Sequence, residues 1–519
     1  MNLIQDKWIS VRRADGAADT IAPFEIGASD NPVVDIAAPR PDFRGALYQF
    51  LIGLVQTAFA PDDDNEWEEK WKKVPKCEEL RKAFEKLSEA FELDAEKGPA
   101  FMQDVTINRD DKKITSHDMG SLLIDVAGGG DYFIKQNNFK NLCENCTAAA
   151  IFTLQTNAPS GGQGHRTGMR GGGPMTTLIF SEQREMILWK NIWLNILAIG
   201  EKEFVLPQKL SADVFPWMGK IRLSNEDYKT FPHDVNELQM YWGMPRRIRL
   251  SQINKNSTCD VCGKSSAVWE NYRTLNHGPS YSSTWQHALS PYRLQKEKDG
   301  SVSLIAMKGK QGGLSYRDWL SLSFGNTEGE KASLVVKSFN ERKYFAIEKN
   351  VHAHLWCFGY DMDNMKARCW YEHTMPIIHL ASNKKDDFAG VISKLIAASS
   401  DVAKILRDHV KAAWFSRPKD VKGDTFFISG SFWEDTESKF YSLVEQLRAA
   451  IESEKPTAPV LSEWRNTIIS AAEKIFDRFA LNATDEPRNM KRIALAAKSL
   501  SAILRSEKIK SINALKEAV

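Results

Sequence analysis

The sequence predicts an α+β fold in two parts, a large mixed α/β N-terminal domain followed by an all-α C-terminal four-helix bundle. The length of 519 residues is enough for more than one domain with its own core. Up to residue 384, helix-like and strand-like patterns are mixed and are interrupted by glycine-rich loops. From residue 385 onward, apolar residues recur almost only at helical spacing. We therefore predict one domain over residues 1–384 and a second over residues 385–519.

Local periodicity predicts the individual elements in chain order. A strand is expected at Trp8–Arg13, then helices at about Phe43–Phe59 and Cys77–Phe91, then strands at Ser303–Met307, Ala332–Phe339 and Tyr344–Glu348. In the C-terminal part, four apolar stripes predict four amphipathic helices over Phe388–Ile405, Phe440–Ile451, Trp464–Phe479 and Ile493–Leu504. Four such helices in series are most simply packed as a bundle.

The composition is that of an ordinary globular protein, with 42% hydrophobic and 26% charged residues. The formal net charge is only +2, so a contact with nucleic acid would need a local basic patch or partners that share the phosphate contacts. The opening residues MNLIQDKWISVRR lack the apolar stretch of a signal peptide, and no window approaches about eighteen apolar residues. Together with the odd count of seven cysteines, this favours a protein of the reducing cytoplasm without a membrane partner.

Two Cys-x-x-Cys pairs, Cys143 with Cys146 and Cys259 with Cys262, are the strongest local motif. Four thiolates around one Zn²⁺ form a closed structural site, because tetrahedral sulfur ligation leaves no position for water. Since 112 residues separate the two pairs, a shared ion would brace distant segments of the chain. We predict one structural zinc site; the alternative is two unrelated reduced pairs.

A glycine-rich segment, which we call the glycine loop, spans residues Ser160–Pro174 and contains seven glycines. Glycine lets a backbone approach a ligand closely, and Arg166 and Arg170 could neutralise phosphate. The segment is not a P-loop, because no Gly-Lys-Ser/Thr closes the required spacing. A loose surface loop is the alternative interpretation.

Two further loops carry weaker signals. Gly128–Gly130 leads into aromatic and lysine residues that end at Lys140, a pattern that suits single-stranded nucleic acid, and Gly359–Arg368 is a polar turn. A catalytic centre is not indicated, because His117-Asp118 and His352-x-His354 lack the additional ligands of an open metal site and no nucleophile elbow occurs. These observations predict a binding protein rather than an enzyme.

Taken in order, the motifs resemble the CasA family, the large subunits of the type I-E CRISPR Cascade complex. The matching elements are Asn2-Leu3, Trp8-Ile9-x-Val11, Phe101–Gln103, Cys143-x-x-Cys146-Thr147-Ala148, Ala158-Pro159, Gly168-x-Arg170-Gly171-Gly172, Cys259-x-x-Cys262-Gly263, Trp285-x-His287-x-x-Ser290-Pro291 and Gly359-Tyr360. The resemblance implies a non-catalytic subunit in antiviral defence that acts with other Cascade subunits on a guide crRNA. It implies recognition of the protospacer-adjacent motif in double-stranded DNA, help with the first unwinding and R-loop formation, and recruitment of a helicase-nuclease.

The resemblance also assigns residues. It places Ser160–Gly164 of the glycine loop near the minor groove of the flanking motif and the four cysteines at a zinc site. It also places a two-residue wedge, Asn364-Met365, after Gly359-Tyr360 and beneath that motif. Some members carry a lysine finger where this chain has Asn276-His277, and Gln163 stands where a glycine is expected. The predicted DNA contacts are Ser160, Gly161, Gly162, Gln163, Gly164, Arg166, Arg170, Asn276, His277, Asn364, Met365 and Lys366. The predicted contacts with guide RNA or neighbouring subunits are Tyr132, Phe133, Ile134, Lys135 and Gln136.

Two other functions remain open from the sequence alone. A zinc-dependent nuclease or hydrolase would need an open coordination position, which four thiolates would fill. A purely architectural zinc protein would not contact DNA, and its interactions would be indifferent to salt.

Overall fold

The computed structural model describes residues 1–126, 138–159, 161–162, 164–183, 186–202, 204–225, 228–251, 253, 255–296, 300–309, 311–325, 329–344, 346–347, 351–363, 366–420, 423–481 and 489–516. The chain folds into two compact units. The first comprises Met1–Gly309 and Gly329–Thr374, and the second comprises Lys310–Glu328 and Met375–Val519. The predicted domain boundary at residue 385 stays a prediction. That prediction placed Lys310–Glu328 in the N-terminal domain, whereas this segment belongs to the second compact unit.

Small antiparallel sheets of three strands form the β part of the first unit, in the region that the structure describes. Their spatial orders are β2-β1-β3, β4-β10-β7, β5-β9-β8, β15-β14-β6 and β12-β11-β13. The strands are β1 (Ile9–Arg13), β2 (Ala18–Ile21), β3 (Val33–Ile36), β4 (Ser116–Asp118), β5 (Leu142–Cys143), β6 (Thr176–Phe180), β7 (Arg247–Leu250), β8 (Lys255–Thr258), β9 (Ser265–Trp269), β10 (Asn271–Leu275), β11 (Tyr292–Lys296), β12 (Val302–Ala306), β13 (Glu330–Lys331), β14 (His354–Asp363) and β15 (Lys366–Pro376).

The first unit also contains helices. They are α1 (Pro41–Ala58), α2 (Asp64–Lys72), α3 (Cys77–Glu85), α4 (Glu144–Asn157), α5 (Leu188–Trp193), α6 (Ile199–Lys202) and, after a segment of the second unit, α8 (Leu334–Ser338). Pro41 at the first helical position fits the start of α1, because proline lacks the N–H that would be unpaired there. Phe50 of α1 is fully buried and makes edge-to-face contacts with Trp8, Phe91, Phe101, Phe152 and Trp242. Helix α1 is therefore the centre of the first core.

The second unit is the predicted helical bundle. Its helices are α7 (Trp319–Ser323), α9 (Lys385–Trp414), α10 (Phe426–Glu452), α11 (Ala458–Ala480), α12 (Met490–Arg505) and α13 (Lys510–Asn513). The segment before α7 belongs to the core of this unit, since the buried Tyr316 ring stacks on Phe440 at 4.3 Å and its hydroxyl bonds to Thr436. Among the helices in the described part of the chain, none is long and apolar enough to cross a membrane.

The mixed α+β class and the C-terminal helices are confirmed, but two predicted strands are wrong. Ala332–Phe339 contains helix α8, because its buried side chains Val335, Val336 and Phe339 follow helical spacing, which a short apolar run does not reveal by periodicity. In the predicted strand Tyr344–Glu348, the described residues form turns instead: the Tyr344 amide donates to the Phe339 carbonyl at 2.9 Å.

Candidate metal centre and nucleic-acid interface

The four predicted zinc ligands come together in the structure. The sulfur atoms of Cys143, Cys146, Cys259 and Cys262 all lie within 4.8 Å of one another, and Cys143 Sγ is 3.7 Å from Cys262 Sγ. A tetrahedral ion with sulfur ligands at about 2.3 Å places those sulfurs about 3.8 Å apart, whereas a disulfide needs about 2.05 Å. All four cysteines are free. The cluster therefore has the composition and spacing to hold one metal ion.

Local structure explains how the two pairs meet. Strand β5 ends at Cys143, which is the residue before α4, and β5 pairs with β9. The second pair lies in the turn between β8 and β9, where the Gly263 amide donates to the Cys259 carbonyl and Gly263 has a φ of 72°. We call the two Cys-x-x-Cys segments the knuckles. The Asp260 carboxylate in the second knuckle accepts hydrogen bonds from the backbone amides of Lys140 and Asn141, just before the first, and so links the two directly.

The same elements lead from the cysteines to the glycine loop. Helix α4 has 14 residues, so it spans about 21 Å and delivers the chain to Ala158. Strands β9 and β10 lead from the second knuckle to Asn276-His277. The cluster thus stands at the origin of both segments that meet at the loop.

Gly164 and Asn276-His277 form one side of the loop. The His277 amide donates to the Gly164 carbonyl at 2.7 Å, and a Cβ on Gly164 would lie 2.5 Å from the Asn276 Cβ. Gly164 also has a φ of 78°, which favours glycine. His277 is itself in the left-handed region, with a φ of 62°. The sequence prediction grouped these residues as DNA contacts, and the structure brings them together.

Arg166 is bonded to the same contact region, and we call the contacts of the glycine loop with Asn276-His277 the brace. Its guanidinium is half-buried and donates to the hydroxyl of Ser224 at 2.7 Å and to the Ser224 carbonyl at 3.0 Å. The Ser224 amide in turn donates to the His277 carbonyl. Arg166 therefore links the glycine loop to a second loop, while part of its side chain faces solvent.

Arg170 does not fit its predicted role as a phosphate contact, and this is a correction. Its side chain is 6% exposed, and its guanidinium donates to the side chains of Gln49, Thr176 and Ser290. Burial lowers its pKa to about 10. Ser290 belongs to the Trp285–Pro291 motif, so this arginine joins two motifs inside the core.

Arg246 lies just before β7. It belongs to the site but was not predicted from the sequence. It is 8% exposed, its backbone amide donates to the Gln155 side chain, and its Nη2 donates to the Pro159 carbonyl. A Cβ on Gly161 would collide with its Nη1. The available signal was three arginines within four residues, Arg246, Arg247 and Arg249, with no acidic residue nearby in sequence.

The β14–β15 hairpin lies next to the loop. A Cβ on Gly173 would be 2.8 Å from the Tyr360 carbonyl, so the end of the loop packs on β14. The buried Tyr360 hydroxyl donates to Asp42 at 2.6 Å, and Arg40 pairs with the same carboxylate. Burial and the Asp42 carboxylate raise the pKa of Tyr360, so it stays a donor. Lys366 begins β15 and is exposed.

Several predicted residues lie outside those that the structure describes. These are Ser160, Gln163, Asn364, Met365 and the segment Tyr132–Gln136. Gly162 is described, has a φ of 85° and has open space where a Cβ would be. Among the other histidines, His287 is buried, and its Nδ1 accepts the Leu289 amide, so its motif is structural.

Comparison with solved structures shows that this architecture is a known one. The chain shares its fold with CasA of Thermus thermophilus, at a TM-score of 0.68 and 15% identity over 97% of this chain and 99% of that one. Cse1 of Thermobifida fusca matches at 0.68 and 13% identity, over 100% and 98%. A chain of a CRISPR RNA-guided surveillance complex matches at a TM-score of 0.65 and 16% identity, over 98% of this chain and 99% of that one.

The fold is therefore that of the CasA or Cse1 structures. The family model described as CRISPR-associated protein Cse1 matches residues 2–475. The chain belongs to the Cse1 family. This confirms the resemblance drawn from the ordered motifs.

Proposed function

We propose that this chain is the non-catalytic large subunit of a type I-E surveillance complex and that it recognises the motif that flanks the target in double-stranded DNA. The observation that carries the proposal is the glycine loop: its backbone is held between the buried Arg246 on one side and Asn276-His277 on the other. Such support presents backbone groups at a fixed surface without bulky side chains. The minor groove, which offers few donors and acceptors, suits this kind of contact.

The partners follow from the family and from the matched assembly. Other Cascade subunits and the guide crRNA would hold this chain in place, and they would supply most phosphate contacts, which agrees with a net charge of only +2. The segment Tyr132–Gln136 would meet the guide RNA or a neighbouring subunit. A helicase-nuclease would be recruited once the target is open, because the chain itself cuts nothing in this proposal.

The cysteine cluster would hold one structural Zn²⁺. Sulfur ligands and tetrahedral spacing are typical of closed zinc sites, and the ion would brace the knuckles from which helix α4 and strand β9 start. The ion would act through the fold, by holding these segments in place, and would not contact DNA.

Asn364 and Met365 would form the wedge that begins strand separation. They follow β14, which is anchored by the Tyr360–Asp42 hydrogen bond and by the Arg368–Asp361 ion pair at 2.7 Å. Inserting a wedge between base pairs costs a few kcal/mol of unstacking. The strands that carry the wedge must therefore keep their shape against this force.

The test uses the complex assembled with and without this chain. Omitting the chain should abolish motif-dependent duplex binding while guide RNA loading survives; normal target binding without it contradicts the proposal. Replacing Asn364 and Met365 by alanine should slow strand opening more than initial duplex contact, and equal defects would remove the wedge role. Metal-stimulated cleavage by the isolated chain would favour the zinc-dependent nuclease or hydrolase instead. Duplex binding that is indifferent to salt would favour the purely architectural protein.

A further inference from the structure

A cleft of about 390 Å³ lies beneath the glycine loop in the first unit, and its walls are basic and aromatic. Arg246, His165, His117 and Lys366 line it, and His117 stacks on Tyr272 with ring centroids 5.5 Å apart. Among the residues that the structure describes, no Asp or Glu lines the cleft. The cleft therefore presents positive charge without a carboxylate to balance it.

Arg246 makes the imbalance costly. The residue is 8% exposed, its Nε has no hydrogen-bond partner, and it forms no ion pair within the described part of the chain. Burial lowers its pKa to about 10. A buried cation without a counter-charge is unfavourable, so a bound anion would stabilise this arrangement.

The remaining walls suggest what accompanies the anion. Ile124, Leu154 and Ile248 provide an apolar floor, and the His117–Tyr272 pair adds flat rings. The volume lies in the range of about 300–1,000 Å³ that is usual for small-ligand sites. It is larger than a lone phosphate needs, and apolar walls with rings suit a sugar and a base.

We propose that this cleft binds one nucleotide of the DNA strand that passes the glycine loop, with its phosphate between Arg246 and Lys366. The inference rests on the proposed function, because the same loop would bring the DNA to the cleft. A free mononucleotide offers the same chemistry and is the competing source.

The test measures duplex affinity of the assembled complex as a function of salt concentration, for duplexes with and without the flanking motif. Arg246→Gln should weaken both duplexes roughly tenfold and reduce the slope of log affinity against log salt by about one, as expected for one lost phosphate contact. Arg246→Lys should keep the slope, because it keeps the charge. Arg249→Gln is the matched control: Arg249 lies in the same strand region, is 4% exposed and does not line the cleft.

An unchanged slope for Arg246→Gln, or an equal change for Arg249→Gln, overturns the proposal. If Arg246→Gln does not fold, Ser121→Asp decides, because this half-buried residue lines the cleft and would place a carboxylate in it. That variant should lose affinity by a similar factor, and unchanged affinity overturns the proposal.

Deoxyadenosine monophosphate and the full-length chain alone distinguish the two sources of phosphate. Arg246-dependent binding of this nucleotide together with an unchanged duplex slope would assign the cleft to a free nucleotide and overturn the strand assignment. If the wild-type complex binds duplexes with and without the flanking motif equally well, the proposed function is refuted separately. The Arg246-dependent slope on the motif-free duplex would still support the phosphate site, and its absence would overturn it.

Discussion

Substituting Gly164 by alanine should release the glycine loop from its brace. A non-glycine residue at a φ of 78° costs roughly 1–2 kcal/mol. The new methyl group would lie 2.5 Å from Asn276 Cβ and 3.0 Å from its Cγ, and overpacking of this kind costs about 1–3 kcal/mol. The two effects add to about 2–5 kcal/mol, which exceeds what one hydrogen bond from the His277 amide can offset.

The neighbouring Gly162 provides a control with the strain but without the collision. Its φ is 85°, and nothing lies within 4 Å of a Cβ built there. Gly162→Ala should therefore cost only the backbone strain of about 1–2 kcal/mol. The difference between the two variants, about 1–3 kcal/mol, corresponds to roughly 5- to 150-fold in duplex affinity of the complex.

A double-mutant cycle with Asn276→Gly tests the physical cause. Without the Asn276 side chain, Gly164→Ala meets no Cβ, so the variants should couple favourably by about 1–3 kcal/mol. Hydrogen exchange of the His277 amide reports the brace directly, since this amide donates to the Gly164 carbonyl at 2.7 Å and should exchange faster in Gly164→Ala. Additivity within about 0.5 kcal/mol, or equal affinities for the two alanine variants, would refute this reasoning.

Three further outcomes follow from the remaining contacts. Cys259→Ser should lower the zinc content from one ion per chain, measured by elemental analysis, and destabilise the chain by several kcal/mol, with about 10 kcal/mol as an upper bound; Cys369→Ser, at an exposed free cysteine, should do neither. Arg170→Met should lower the free energy of unfolding by about 1–3 kcal/mol through its orphaned partners yet leave the salt slope of duplex binding unchanged, whereas a reduced slope would restore Arg170 as a phosphate contact. Because burial holds the pKa of His287 far below its usual value, only the unfolded chain gains this proton below pH of about 6.5, so stability should fall by about 1.4 kcal/mol per pH unit there; denaturant unfolding should show a shallower fall in His287→Asn, and identical pH profiles would contradict this origin.

The sequence could predict elements whose information is local. The four C-terminal helices follow from apolar stripes long enough to show a helical period, as in Lys385–Trp414. The cysteines could be paired because zinc chemistry restricts which residues can share an ion. Ala332–Phe339 failed because five helical residues are too few to separate a helix from a strand.

The site itself depends on contacts that local patterns do not contain. Arg166 and Arg170 lie four residues apart in one glycine-rich segment, yet one is half-buried at a loop and the other is in the core. What separates them is the position of Gln49 and Ser290, which reach Arg170 from elements far away in sequence. The contact of Gly164 with Asn276 is likewise non-local, so composition alone left a loose loop as an open alternative.

The contacts change the meaning of the glycines. A loose loop would use them for conformational freedom, but Gly161 stands against a guanidinium and Gly164 against a side chain that leaves no room for Cβ. These positions are therefore glycine because neighbouring side chains approach closely. Ordering the glycines costs conformational entropy, which opposes formation of the loop. The stability of the knuckles therefore matters to recognition. Helix α4 starts at the first knuckle and its Gln155 bonds to the backbone of Arg246, while strands β9 and β10 lead from the second knuckle to Asn276. A lost ion should then weaken duplex binding through a displaced surface rather than through lost charge, and its effect should leave the salt slope intact.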